Sequence, residues 1–89
     1  MSELVAYNRE LAQLRATVAQ LDTVDEAKDL ADRAAAAQTW ARRARLGQDA
    51  VNTAAEVKLR AERRAGELLA LTVEHGGDRR SESRSPQPN

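Results

Sequence analysis

The side chains that ordinarily do chemistry are few and scattered in this sequence. His75 is the single histidine, it is followed by Gly76-Gly77, and there is no cysteine. A nucleophile needs a base within hydrogen-bond reach, and a zinc site needs several clustered donors. A lone imidazole beside two glycines provides neither and reads as a solvated spacer at a helix end. Glu26, Asp29 and Asp32 recur at helical spacing, which places carboxylates on one helix side. With no histidine beside them and no bulk to wall off a pocket, they read as a solvated or ion-paired face. Gly76-Gly77 lacks the strand, the spacing and the lysine of a phosphate-cradling loop. No catalytic, metal-binding or cofactor-binding residue is therefore expected, nor a small-molecule substrate, and the chain is expected not to be an enzyme.

Charge is the next candidate for function. The 14 basic and 14 acidic residues cancel, which argues against a generic polyanion binder, but their distribution is uneven. Residues 1–33 hold four basic and seven acidic side chains, a net of −3; residues 40–66 hold seven basic and three acidic ones, a net of +4. The basic set is Arg42, Arg43, Arg45, Lys58, Arg60, Arg63 and Arg64. Such a cluster suits phosphate contacts with a steep salt dependence. Glu56, Glu62 and Glu67 interleave with it, however, and Glu56–Arg60 and Arg63–Glu67 are spaced as helical i,i+4 pairs. The acidic group Asp22, Asp25, Glu26, Asp29 and Asp32 is an equally good partner, within the chain or across a dimer. Pairing between protein helices is the first reading and nucleic acid the second.

The elements that carry these residues are helices. After Ser2, a plausible N-cap, Leu4, Tyr7, Leu11, Leu14, Val18 and Leu21 alternate spacings of three and four. A 3.5-residue repeat this narrow is a seam for another helix. It either packs on the rest of the chain as part of a three-helix bundle, or dimerises, or fits a groove on a target. Thr23 with Glu26 three residues on forms a capping box that starts a second helix. Its stripe is Ala27, Leu30, Ala34, Ala37, Ala41 and Ala44, small enough for a close neighbour. Trp40 flanks that stripe, either as a plug in the core or as an exposed anchor of the kind found at binding hot spots.

The register fails near Gly47. A shifted stripe, Val51, Ala54, Val57, Ala61, Ala65 and Leu68, marks a third helix. Gly47 is placed as the C′ residue after Arg42, Arg43 and Arg45, and Asp49 as the next cap. One continuous helix with a stutter is the alternative, because an isolated glycine costs only about 1 kcal/mol. The third helix should fade near Val73. Residues 76–89 contain no apolar side chain and cannot offset their ordering entropy. The expected organisation is a helical interaction domain over residues 1–74 and a disordered tail or linker over 75–89.

Composition supports an all-α fold of two or three helices with coiled-coil-like packing. Of 37 apolar residues 18 are alanine, and there is no phenylalanine or isoleucine. Alanine is the best helix former yet buries little area, so the helices are well encoded and the core is thin. Small domains in that position commonly gain stability by oligomerising, and a dimer is the expected state. No basic, apolar leader stands at the N-terminus, and no apolar run approaches the roughly 20 residues needed to span a bilayer. A cytoplasmic location and no membrane partner are expected.

Residues 23–69 resemble a helical segment that recurs in phage, prophage and other mobile-element proteins of bacteria. The most specific parts are Val24-Asp25-Glu26-Ala27-Lys28-Asp29 and residues 54–69, AAEVKLRAERRAGELL. The run Ala34 to Ala37 is plainer than that segment usually is. The resemblance implies a phage or mobile-element protein whose longer forms continue past a polar linker into a segment of DNA-binding character, so that this chain would be a short form or a fragment. The functional expectation is a small helical protein that self-associates and binds and inhibits a host helical or coiled-coil protein. The alternative is an accessory or dimerisation module of a nucleic-acid-binding protein, with residues 42–64 on phosphates.

Overall fold

The computed structural model describes residues 2–80 of the chain, with side chains described as far as Val73. Three helices account for nearly all of it: α1, Glu3–Val18; α2, Val24–Arg43; α3, Gln48–Arg80. There is no strand among the described residues, so the all-α class holds. None of these helices is long and apolar enough to cross a membrane.

Each boundary has a local cause. Ser2 caps α1, its hydroxyl accepting from the Val5 N–H at 3.1 Å. At the start of α2 the expected capping box is complete. The Thr23 hydroxyl accepts from the Glu26 N–H at 3.1 Å, while Glu26 Oε1 accepts from the Thr23 N–H at 3.2 Å and the Asp22 N–H at 3.1 Å. These contacts satisfy donors that a helix start would otherwise leave unpaired.

The α2–α3 connection is a turn, which excludes the continuous helix, but Gly47 does not close it in the way expected. Arg45 takes the left-handed conformation, with φ 56°. The Leu46 N–H reaches back to Ala41 O at 3.0 Å and the Arg45 N–H to Arg42 O at 3.2 Å. That is the Schellman pattern with Arg45 at C′, and it brings Leu46 back against the core beside Ala41. Gly47, with φ 104°, instead feeds α3. Asp49 is the second residue of α3 and not its cap; its carboxylate in the first turn suits the positive end of the helix dipole.

Side-chain pairs give the topology. Tyr7 bonds to Ala50, Arg15 meets Glu56 and Arg64 reaches Leu21, so α1 and α3 run parallel. Glu10 meets Arg33 and Tyr7 stacks on Trp40, so α2 runs antiparallel to both. α2 and α3 form the tight pair, and α1 rests mainly on α3. The outline is long and flat, 57 × 22 × 14 Å.

The core follows the stripes read from the sequence. Ala27, Leu30, Ala31, Ala34 and Ala41 of α2 meet Ala50, Val51, Ala54, Val57, Ala61 and Leu68 of α3, with Tyr7, Leu11, Leu14 and Leu21 above them. Alanine makes up seven of these fifteen buried residues. The α2–α3 contact is therefore close but releases little apolar area, and Leu11 and Val57 are the largest side chains fully enclosed. Among the residues whose side chains are described, none beyond Leu68 is buried. α3 nevertheless continues to Arg80, past the fading point expected near Val73; residues 81–89 of the expected tail lie outside the described residues.

Candidate protein-interaction surface

The stripe of residues 4–21 has two alternative roles, and its position in the fold separates them. Tyr7, Leu11, Leu14 and Leu21 are buried within one chain and Val18 is half-buried against the same core. Only Leu4 stays exposed, in a shallow hollow beside Leu46 and Gly47. The stripe thus serves as the third member of a bundle. It is not available as a seam between copies while α1 stays docked.

Trp40 also departs from the role of core plug. It is 43% exposed, and its ring lies against the buried Tyr7 ring at a centroid distance of 5.7 Å and 29° between planes. The reason is angular: Ala34 and Ala41 take the inward positions of α2, and residue 40 falls to one side of that line. The offset stack stabilises the pair beyond its area and leaves one face of the indole in solvent. Tyr7 is held from below, its hydroxyl donating to Ala50 O at 2.7 Å. Burial raises the Tyr7 pKa above its ordinary value.

Because α1 rests on α3, it stands apart from α2 and a groove of about 620 Å³ opens between them. From α1 it is lined by Ala6, Tyr7 and Leu14; from α2 by Ala36, Ala37 and Trp40. Glu3 and Glu10 stand on the α1 rim, and Arg33 on the α2 rim is tied to Glu10 at 3.5 Å. The floor is apolar, the walls are mostly methyl groups, and the net charge of the rim is negative. Ala6, Ala36 and the two rim glutamates were not singled out in the sequence. The alanine run 34–37 carried the signal, since only two of its four residues can face α3 and the others must face elsewhere.

The basic residues do not converge. Arg42, Arg43 and Arg45 lie at the α2–α3 turn, while Arg60, Arg63 and Arg64 stand about 20 Å further along α3. The second group shares a shallow hollow with Val18, Ala19 and Glu67. Several of these cations are already engaged. Arg60 pairs with Glu56 at 3.1 Å, as expected, and Lys58 with Glu62 at 3.9 Å. Glu67 pairs with Arg64 at 3.3 Å, not with Arg63 as its spacing suggested. The difference arises because Leu21 O holds the Arg64 guanidinium on that side of the helix. Glu56 also receives Arg15 of α1 at 3.5 Å.

The acidic group of α2 makes none of the cross-helix pairs considered for it. Arg15–Glu56 and Arg33–Glu10 are the ion pairs between helices among the described residues, and Glu26 is occupied by its capping box. Asp25, Asp29 and Asp32 remain exposed. Among the described residues no three His, Asp or Glu side chains are grouped so as to hold a metal ion.

Set against protein-family models, curated proteins and solved structures, the chain matches none.

Proposed function

We propose that this chain is a protein-interaction module that receives an amphipathic helix of another protein in the groove between α1 and α2. The observation that carries this reading is the Tyr7–Trp40 stack, which holds half of an indole in solvent at the edge of an apolar, alanine-walled channel. Tryptophan is enriched among the residues that dominate binding energy. Alanine at positions 6, 36 and 37 lets a visiting helix come close, as alanine already does between α2 and α3. Glu3 and Glu10 favour a visitor whose apolar stripe is flanked by Lys or Arg, and charge matching of this kind gives specificity and fast association.

The resemblance of residues 23–69 to segments of phage and mobile-element proteins makes a bacterial host protein, met in the cytoplasm and blocked at its own helical or coiled-coil surface, the natural class of partner. The nucleic-acid reading is weaker, because its seven basic residues stand in two separate groups and Arg60, Arg64 and Lys58 are engaged with glutamates.

Trp40 is the single tryptophan and reports directly on the groove. The test is a titration with two model helices that share a leucine stripe, one flanked by lysine and the other by glutamate. A saturable blue shift of Trp40 emission with the lysine-flanked helix, abolished by Ala37→Arg, is expected. Absence of a saturable shift with either helix overturns the reading.

A further inference from the structure

We infer that the outer face of α3 is a self-association surface on which two copies pair antiparallel about Gly66. Among the described residues, four of the seven exposed large apolar side chains are on this helix: Leu59, Leu69, Leu71 and Val73. Three of them form a line. Leu59, Gly66 and Val73 are seven apart, the spacing of a coiled-coil seam; of the two intermediate positions, 69 holds a leucine and 62 a glutamate, Glu62, which is paired with Lys58 of its own helix at 3.9 Å. Leu59 is 59% exposed, Leu69 52% and Val73 56%. This line lies opposite the buried line Val57, Ala61 and Leu68, so neither α1 nor α2 covers it.

Gly66 selects the occupant. In the interior of an exposed helix a glycine is about 1 kcal/mol worse than alanine. A Cβ at Gly66 would meet nothing within 4 Å, so the chain itself has no use for the missing methyl group. A second backbone crossing at that point does. Gly66 also sits midway between Leu59 and Val73. A two-fold axis there places Leu59 of each copy against Val73 of the other, with the glycines facing each other; such a surface is complementary to itself.

Charge sets the direction. Arg63 and Glu67 flank Gly66 on one side of the line, and Arg63 makes no ion pair among the described residues. In the antiparallel pair, Arg63 of one copy lies about 3 Å in axial height from Glu67 of the other, and the symmetry makes this contact twice. A parallel pair would bring Arg63 towards Lys58 of the second copy, a repulsive contact. Two heptads make a short seam, so the association is reversible and depends on concentration. It uses a different face from the α1–α2 groove, and either can hold without the other.

Sedimentation equilibrium of the full chain up to about 1 mM tests it. A monomer–dimer equilibrium is expected, lost in Leu59→Glu and in Arg63→Glu and regained in the double variant Arg63→Glu, Glu67→Arg. Leu71, 51% exposed but on another side of α3, supplies the control: Leu71→Glu should leave the equilibrium unchanged. Gly66→Leu should unfold at a higher temperature and yet dimerise less. A wild-type chain that stays monomeric throughout overturns the inference, as does a dimer indifferent to Leu59→Glu. A dimer that the double charge swap does not restore overturns the antiparallel register.

Discussion

The guanidinium of Arg64 donates twice to the carbonyl oxygen of Leu21, at 2.9 and 3.2 Å, across 43 positions of sequence. Leu21 lies three residues past the end of α1, in the link to α2, and the last turn of α1 closes on itself through the Gln20 N–H to Thr17 O at 2.9 Å and the Leu21 N–H to Val18 O at 3.3 Å. One side chain of α3 therefore ties the link between α1 and α2 to the rest of the bundle. Because α1 rests mainly on α3, this contact does much to keep it there.

Arg64→Ala should lower stability by about 1–2 kcal/mol, the range for a partly exposed hydrogen bond from a charged donor. Arg64→Lys should recover less than half, since a single ammonium cannot reproduce the two-pronged contact. Chemical denaturation of the three proteins checks this, and equal stabilities would show that Leu21 O is as well served by water.

Tyr7 makes stability depend on alkaline pH. Burial holds its folded pKa above the ordinary value of 10.0, whereas the unfolded chain ionises at that value. The contribution is complete below pH 10 and is lost as pH rises through the folded pKa, because the unfolded state gives up its proton first. Tyr7→Phe should flatten this alkaline loss. At pH 7 it should cost about 1 kcal/mol for the bond to Ala50 O. Unfolding curves at pH 7 and above pH 10 measure both effects, and parallel losses in the two proteins would contradict the assignment.

The α2–α3 turn holds two left-handed residues of opposite prospects. Arg45, with φ 56°, carries a side chain where glycine is preferred, so Arg45→Gly should stabilise by about 0.5–1 kcal/mol. Gly47, with φ 104°, has open space for a Cβ but a backbone that L-residues rarely adopt, so Gly47→Ala should destabilise by about 1–2 kcal/mol. Thermal midpoints moving by a few degrees in opposite directions are the expected result.

The dispersal of the basic residues predicts weak behaviour towards DNA. Fluorescence anisotropy with a mixed-sequence duplex should show no saturable binding at about 200 mM salt and at most weak binding at about 50 mM. Micromolar binding that falls steeply between those conditions would mean several simultaneous phosphate contacts and would put the nucleic-acid reading first.

Features that depend on neighbours a few residues away could be read along the chain. The three helices, the Ser2 cap, the Thr23–Glu26 capping box and the inward lines of α2 and α3 all follow from periodicity and local hydrogen bonding, so they were legible. The thin, alanine-rich core was legible from composition, whereas the groove between α1 and α2 was not. Which surface each stripe meets depends on how the three helices pack. Tyr7, Leu11 and Leu14 carry a pattern equally suited to another chain, and they turn inward because the α2–α3 pair, built from alanine, has too little apolar surface to close on itself. Arg45 took the left-handed position that a glycine two residues later seemed made for, because that geometry returns Leu46 to the core. Trp40 was left half in solvent, and the arginines were parted by the length of α3. These outcomes are set by the summed packing of three helices, which no short window of sequence contains.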